Sequence, residues 1–224
     1  EVSRLAYVDP TPAVIKQGRP LLYDTIRTSG LGHASCASCH VDGRTDRLAW
    51  DLGDPSGNMI PLASGQGTVH PMKGAMVTQS LQDIMRFPSM HWRGDRVTLA
   101  DFNPAFVSLN GADAQMSSSD IQAFGNFLNT LHFPPNPYRN LDNTLSTAVT
   151  LPVTGVVANA VNGRVQLAGC IDCHTNGRAR SNFQNAELSQ LVIPPAFHGF
   201  YKRLGYWPGT TTASTSGFGF FHDG

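Results

Sequence analysis

Two five-residue stretches constrain this chain more than any other feature of its sequence. Residues 36–40 read Cys-Ala-Ser-Cys-His, and residues 170–174 read Cys-Ile-Asp-Cys-His. Two thiols at this spacing can add to the two vinyl groups of one porphyrin, and the adjoining imidazole then reaches the iron. The sequence therefore predicts two covalently attached haem c groups. The expected attachment residues are Cys36, Cys39, His40, Cys170, Cys173 and His174, with His40 and His174 as iron ligands.

The two motifs use all four cysteines of the chain, which limits the other interpretations. A zinc site also uses Cys-x-x-Cys pairs, but it does not require a histidine directly after both of them. A disulfide is a weaker alternative, since neither motif has a further cysteine as its partner. Haem is the interpretation that accounts for every residue of the repeated pattern.

Composition favours a mainly α protein built around a cofactor. The 224 residues suit one or two domains, and 22 glycines with 15 prolines favour short helices joined by ordered loops. Sixteen basic and sixteen acidic residues leave no net charge, so no overall field recruits nucleic acid or an anionic membrane. No apolar run is long enough for a membrane span. Because bacteria complete covalent haem attachment outside the cytoplasm, we expect a periplasmic or extracellular protein whose leader has been removed, or an excised fragment of such a protein.

The surroundings of the two motifs are similar, which indicates a duplicated haem-binding unit. Gly18-Arg19 precedes the first motif, and Gly163-Arg164 precedes the second. An aromatic stretch that ends in glycine follows each motif at a similar distance, at residues 90–94 and 219–224.

Residues 117–131 have the pattern of a helix that closes the first unit. Three serines and Asp120 provide an N-cap and a negative first turn. The stretch resembles the last helix of a class I cytochrome c, and the prolines between 134 and 137 end it. The apolar residues that fall on one helical face are Ile121, Phe124, Leu128 and Leu131.

These patterns predict tandem class I cytochrome c-like domains, each wrapped around one covalent haem. Residues 1–137 form the first domain, 138–155 a linker, and 156–224 the second domain. The second domain stops before any closing helix, so we expect it to be incomplete at its C-terminus. It is then a fragment of a longer chain, or another subunit completes it.

The chain resembles the bacterial dihaem cytochrome c peroxidase family, including the relative that matures a tryptophan-derived quinone, over about residues 13–224. The resemblance rests on the two haem motifs, on His-Trp-Arg-Gly-Asp at residues 91–95, and on Phe-His-Asp-Gly at residues 221–224. Residues 43–53 are more similar to a subgroup that is often fused to propeller domains.

The resemblance implies roles for residues that lie outside the two motifs. His70 matches the loop position that supplies the distal ligand of the first iron, and Met76 and Met72 are the alternatives in the same loop. Trp92 matches the tryptophan that lies between the two haems and is proposed to couple them. Arg93 and Arg96 are expected to pair with haem propionates, because a guanidinium binds carboxylates bidentately.

The second iron cannot take a methionine from its own unit, because no methionine follows Met116. His198 is the favoured ligand, and a local hydrogen bond is the expected role of His222. The other candidates nearby are Tyr201 and Tyr206.

Two classes of function follow from these residues. Peroxide cleavage needs an open iron and a positioned acid/base, which the family supplies as a glutamate. The glutamates here are Glu1 and Glu187, outside the first distal segment, and Asp101 is a shorter substitute in a different setting. We therefore expect electron transfer between the two haems and a redox protein or other subunits of a larger assembly. The alternative is a peroxidase-like enzyme that reduces hydrogen peroxide or oxidatively matures a partner protein.

A group of four aspartates raises calcium as a further cofactor, since that ion prefers oxygen ligands. The residues lack the alternate spacing of a known calcium loop, so a solvated, turn-rich segment is the favoured interpretation. They are Asp42, Asp46, Asp51 and Asp54.

Overall fold

The computed structural model describes residues 8–61, 68–72, 74–86, 90–151, 155–170, 174, 183–184, 191–192 and 197–203. The helices in these residues are short, and none of them is long and apolar enough to cross a membrane. The α-helices are α1 (Ala13–Tyr23), α2 (Thr25–Thr28), α3 (Asn103–Ser108), α4 (Ser118–Leu128) and α5 (Ala160–Gln166). The 3₁₀ helices are Cys36–Ser38, Val41–Gly43, Ile84–Arg86, Leu99–Phe102 and Phe197–Arg203.

The described strands are two residues long and pair antiparallel. Ladders of this length bury little surface, so they close loops rather than form the core of a sheet. The pairs are β1 (Ala49–Trp50) with β4 (Met76–Val77), β2 (Ile60–Pro61) with β3 (Thr68–Val69), β5 (Val149–Thr150) with β6 (Val157–Ala158), and β7 (Phe183–Gln184) with β8 (Leu191–Val192).

The chain divides into two compact units that are each discontinuous in sequence. The first unit comprises the described parts of Glu1–Asp46, Ser80–Arg86 and Leu99–His132. The second unit comprises the described parts of Arg47–Gln79, Phe87–Thr98 and Phe133–Gly224. Three segments of the predicted first domain, residues 47–79, 87–98 and 133–137, therefore belong to the second unit, whereas the prediction assumed that each domain is one continuous stretch.

The core of the first unit forms where α1 packs against α4. Gly18 of α1 allows the helices to approach closely, because a Cβ there would overlap the Ala123 carbonyl oxygen and the Phe127 Cβ. The buried apolar side chains around this contact are Leu21, Leu22, Phe106, Ile121, Phe124, Phe127 and Leu128.

Helix α4 confirms the predicted closing helix. The Ser117 hydroxyl accepts the backbone N–H of Asp120 at 3.1 Å, which satisfies one of the free donors of the first turn. Three of the four predicted apolar residues, Ile121, Phe124 and Leu128, lie on its buried face. The fourth, Leu131, lies beyond the helix end and packs half-buried against the same core.

A buried carboxylate holds the chain that leaves α4. Asp83 Oδ1 lies 2.8 Å from Nδ1 of His132 and 3.1 Å from Nε of Arg86. The Asp83 backbone N–H donates to the Leu131 carbonyl at 2.7 Å. These contacts explain why residues 80–86 belong to the first unit, although the chain reaches them only after the excursion of residues 47–79.

In the second unit, residues 47–79 fold back on themselves through the β1–β4 and β2–β3 pairs. The Thr78 N–H donates to the Leu48 carbonyl at 3.1 Å, one step outward from the β1–β4 pair. At Gly53 a Cβ would lie 2.6 Å from the Met72 Cα and from the Pro71 carbonyl oxygen. The loop that holds His70 is therefore packed against this part of the chain.

The predicted linker, residues 138–155, has regular hydrogen bonding where it is described. Arg139 and Leu145 form an antiparallel bridge, and β5 begins four residues later. Helix α5 follows β6, and the Asn159 side chain accepts the Asn162 N–H at 3.0 Å as its N-cap. The described residues that lead to the second Cys-x-x-Cys-His motif therefore form a bridge, a strand pair and a helix.

We expect Gly18→Ala to lower the free energy of unfolding by about 1–3 kcal/mol, because the new methyl group overlaps α4 at a backbone oxygen that cannot move aside. The matched control is Gly163→Ala in α5, where a Cβ meets nothing within 4 Å. That change should stabilise by about 0.5–1 kcal/mol through helix propensity alone. Urea denaturation followed by circular dichroism measures both. Equal effects of the two substitutions would contradict the close helix contact.

Candidate functional site

In both Cys-x-x-Cys-His motifs, the same hydrogen bond joins the histidine to the first cysteine. The His40 N–H donates to the Cys36 carbonyl at 2.9 Å, and the His174 N–H donates to the Cys170 carbonyl at 2.9 Å. A bond of this kind spans one helical turn, so it brings the first cysteine and the histidine of each motif to one side. That arrangement suits a haem, whose edge binds the thiols while its central iron takes the imidazole.

Local hydrogen bonds explain why the first motif forms this turn. The Ser38 N–H donates to the Ser35 carbonyl at 2.9 Å, and the Ser35 N–H donates to the Ser38 hydroxyl at 3.1 Å. This reciprocal pair closes the 3₁₀ helix around Cys36, which packs half-buried against the core of the first unit. The serine within the motif thus stabilises the turn and is not a candidate ligand.

The described cysteines are thiols without disulfide bonds, namely Cys36, Cys39 and Cys170. The disulfide alternative therefore does not apply to them, while Cys173 lies outside the described residues. Burial raises the pKa of Cys36 to about 11. Burial, together with the charge of Asp46, also raises the pKa of Cys39. Both free thiols are thus protonated at neutral pH.

Asn110 is a residue of this site that the sequence did not indicate. It is buried just beyond the end of α3, and its side chain donates a hydrogen bond to the Cys36 sulfur. This bond lowers the pKa of Cys36, but burial outweighs it. No motif or periodicity marks Asn110, because its place depends on how α3 ends.

No group of three or more His, Cys, Asp or Glu side chains among the described residues is arranged to hold one metal ion. Cys36, Cys39 and His40 thus do not converge as zinc ligands do, whereas haem requires the thiols and the imidazole to reach different atoms. The four aspartates considered for calcium do not form such a group either. One of them, Asp54, instead accepts the N–H and the hydroxyl of Ser56 in a turn, which lowers its pKa.

In the haem-free protein, alkylation of Cys36 should be slow below pH 9 and should accelerate toward pH 11, since only the thiolate reacts. Because folding favours the neutral thiol, its contribution to stability is complete below pH 9.0 and is lost as the pH rises to about 11. Mass spectrometry after timed iodoacetamide labelling measures the rate at each pH. The exposed Cys170 is the internal control and should react first. Faster labelling of Cys36 than of Cys170 at pH 8 would contradict its burial.

In the second motif, the His174 side chain is buried beside an aromatic residue. Its ring stacks on Phe197, with centroids 4.4 Å apart and ring planes inclined by 21°. His198, the predicted ligand of the second iron, directly follows Phe197 and is exposed on the 3₁₀ helix Phe197–Arg203. Tyr201 donates its hydroxyl to the Pro134 carbonyl. Ligation by His198 stays a prediction, and His222 and Tyr206 lie outside the described residues.

His70, the predicted distal ligand of the first iron, belongs to the second unit. Its Nδ1 accepts the backbone N–H of Met72 at 3.0 Å, which places the proton of the neutral ring on Nε2. Histidines that bind metals usually donate an N–H from the nitrogen that faces away from the metal. Ligation through Nε2 would therefore require the hydrogen bond from the Met72 N–H to break, so that Nδ1 could become a donor. Ligation of the first iron by His70, or by its alternatives Met76 and Met72, stays a prediction.

The His-Trp-Arg-Gly-Asp turn is closed at its base by the Met90 N–H, which donates to the Arg96 carbonyl at 2.6 Å. The φ angles of His91 and Gly94 are +73° and +63°, so the backbone reverses sharply between them. Across the turn, His91 Nδ1 lies 2.6 Å from Oδ1 of Asp95, whose side chain is 7% exposed. The turn thereby presents the two residues between these positions to the rest of the second unit.

Trp92 and Arg93 hold the segment of residues 70–77 in place. The Trp92 indole N–H donates to the Val77 carbonyl at 2.6 Å. The Arg93 guanidinium donates to the His70 carbonyl at 2.7 Å and to the Met72 carbonyl at 2.9 Å. Burial lowers the pKa of Arg93, an effect that the charge of Asp95 partly offsets. The roles in haem coupling and propionate binding stay predictions, as does that of Arg96, which lies 3.7 Å from an Asp95 oxygen.

We expect Arg93→Lys to lower the free energy of unfolding by about 1–3 kcal/mol, because one ammonium cannot replace both planar contacts and a buried carbonyl loses its donor. Arg96→Lys is the matched control, since that side chain is 38% exposed and the change should stay below about 0.5 kcal/mol. Urea denaturation measures both, and hydrogen exchange at residues 70–72 locates the effect. Unchanged exchange at these residues in Arg93→Lys would contradict the role of the guanidinium.

Comparison with known proteins corrects the predicted resemblance. No protein-family profile matches the chain. Hydrazine synthase subunit gamma of Kuenenia stuttgartiensis is 31% identical to it over 131 residues, which cover 52% of this chain and 32% of that protein. The chain thus spans about a third of the length of this curated relative.

A solved structure gives a related result. A chain of Kuenenia stuttgartiensis hydrazine synthase, studied under 20 bar of xenon, matches 77% of this chain with a TM-score of 0.50. The identity is 21%, and the match covers 51% of the solved chain, so this similarity concerns the fold alone.

The assignment to the dihaem cytochrome c peroxidase family was therefore wrong, because the similarity found is to hydrazine synthase subunit gamma. The motifs behind that assignment are a pattern typical of haem attachment and a tight turn. Both features recur among proteins with different reactions, so they do not identify the family.

Proposed function

We propose that this chain is a dihaem c-type cytochrome that passes electrons between two covalently bound haems and a redox partner. The observation that carries the proposal is that both motifs have the same 2.9 Å hydrogen bond between the histidine N–H and the carbonyl of the first cysteine. Two motifs of identical spacing and matching geometry are expected where two copies of one cofactor bind.

Different residues bind different parts of each haem. The cysteines bind its edge, and His40 and His174 serve as the proximal ligands. When bound, the haem supplies a one-electron couple whose potential the axial ligands and the surrounding burial adjust. The burial of His174 supports this role, because an apolar setting shields an iron ligand from water.

The fold that goes with this function is a tandem of mainly α, class I cytochrome c-like domains. The packing of α1 on α4 beside the first motif supports the first of these domains. Since covalent haem attachment is completed outside the bacterial cytoplasm, the protein acts in the periplasm or outside the cell.

The chain works as a subunit of a larger redox assembly. The support comes from its similarity to a protein named as a subunit of hydrazine synthase. A second candidate function follows from the same match: a part in the reaction of a hydrazine synthase-like complex, in which one iron stays open to a small nitrogen compound. The state of the irons separates the two candidates, since an electron carrier has both irons capped by side chains.

The experiment compares the full chain, expressed with a c-type cytochrome maturation system, with Cys36→Ser/Cys39→Ser and Cys170→Ser/Cys173→Ser. Intact mass and haem staining after denaturation should give two covalent haems for the wild-type chain and one for each double variant, which serve as controls for each other. Absence of covalent haem, or loss of both haems in one variant, would overturn the proposal.

Cyanide addition to the oxidised wild-type protein then tests the coordination. We expect an unchanged low-spin spectrum with two reversible one-electron steps in a redox titration, as capped irons give. Rapid cyanide binding at one iron would favour the second candidate, with the same chain acting at a reaction site.

A further inference from the structure

The stack between His174 and Phe197 is close and nearly parallel. The centroids are 4.4 Å apart, and the planes are inclined by 21°. His174 is only 7% exposed, so this contact lies in the interior of the second unit. Parallel aromatic pairs at such distances resist rotation of one ring against the other, because turning either ring drives its edge into the face of its neighbour.

Phe197 is itself restrained by Phe200, three residues further along the chain. It begins the 3₁₀ helix Phe197–Arg203, and the Phe200 ring meets it edge-on, with centroids 5.2 Å apart and planes at 68°. A ring that is stacked on one side and packed at its edge has little freedom to follow a moving imidazole.

The 3₁₀ helix is in turn anchored on the chain that enters the second unit. Gly199 lies against the Phe133 ring, where a Cβ would come within 2.7 Å of two ring carbons. Lys202 Nζ lies 5.1 Å from the centroid of the same ring, and Tyr201 donates its hydroxyl to the Pro134 carbonyl. These contacts restrain the helix that carries Phe197, so its ring is held in a fixed position beside the His174 imidazole.

The backbone of His174 is restrained from the other side. Its N–H donates to the Cys170 carbonyl at 2.9 Å, so the start of the side chain is set by the turn of the motif. Rotation about the side-chain bonds then decides the direction of the ring plane, and that rotation is what a stacked neighbour restricts.

We propose that Phe197 is a positioning residue that fixes the rotation of the His174 imidazole about its bond to the second haem iron. The inference rests on the proposed function, because it requires a haem at the second motif. The direction of an axial imidazole plane determines how the two iron d orbitals that interact with it are split. A fixed ring gives one well-defined splitting, and a freely turning ring gives a spread of values.

The test uses the full haem-loaded chain and electron paramagnetic resonance of the oxidised protein. The signal of the second haem is the one that Cys170→Ser/Cys173→Ser removes. We expect Phe197→Leu to change the rhombicity of that signal and to broaden it, while the first haem's signal stays as in the wild-type chain. Phe197→Tyr keeps the ring face and should restore the wild-type signal. Phe102→Leu, the same substitution in the first unit, is the matched control and should leave the second haem unchanged.

The outcomes separate this inference from the proposed function. An unchanged second-haem signal in Phe197→Leu, with two covalent haems by mass, overturns the positioning role alone. Absence of haem at the second motif in the wild-type chain overturns both proposals. If Phe197→Leu loses haem, Phe197→Met replaces it, since that flexible side chain fills the space without a ring face. The same change and broadening of the signal is then expected.

Discussion

The fixed spacing of two thiols and one imidazole within five residues is the constraint on which the rest of this molecule depends. The backbone meets it in both copies with one hydrogen bond, from the histidine N–H to the carbonyl of the first cysteine. In the first unit, reciprocal serine hydrogen bonds and the packing of α1 on α4 stabilise that turn. In the second unit, the Phe197 ring stacks on His174. Each unit thus surrounds the same hydrogen bond with a different set of contacts.

A buried cation organises the part of the second unit that carries the predicted distal residues. Arg93 donates to two backbone carbonyls, and Trp92 donates to a third, so a single tight turn holds residues 70–77. Burying a guanidinium is costly unless its donors are used, and backbone carbonyls use them without adding a counter-charge. The His70 ring is left with its Nδ1 as acceptor of a backbone N–H, a state that suits hydrogen-bond donation from Nε2 better than metal binding.

The similarity to hydrazine synthase subunit gamma changes what the haem motifs mean for function. A Cys-x-x-Cys-His motif specifies how a haem is attached, and the reaction depends on what the iron leaves open and on which groups face it. For that reason the motifs predict a cofactor chemistry, but they led wrongly toward the peroxidase family. The relative is about three times as long as the part that matches this chain.

The sequence by itself determined the features that depend on residues close together in the chain. These are the haem motifs, the capped helix α4 with its buried face, and the short helices that glycine and proline favour. Only the tertiary structure decided that Asp83 holds the end of α4, that Arg93 serves backbone carbonyls, and that Phe197 stacks on His174. Periodicity and spacing encode contacts within one helical turn or one motif. A contact between residues that lie tens of positions apart depends on how the intervening chain folds back, and no local pattern records that path.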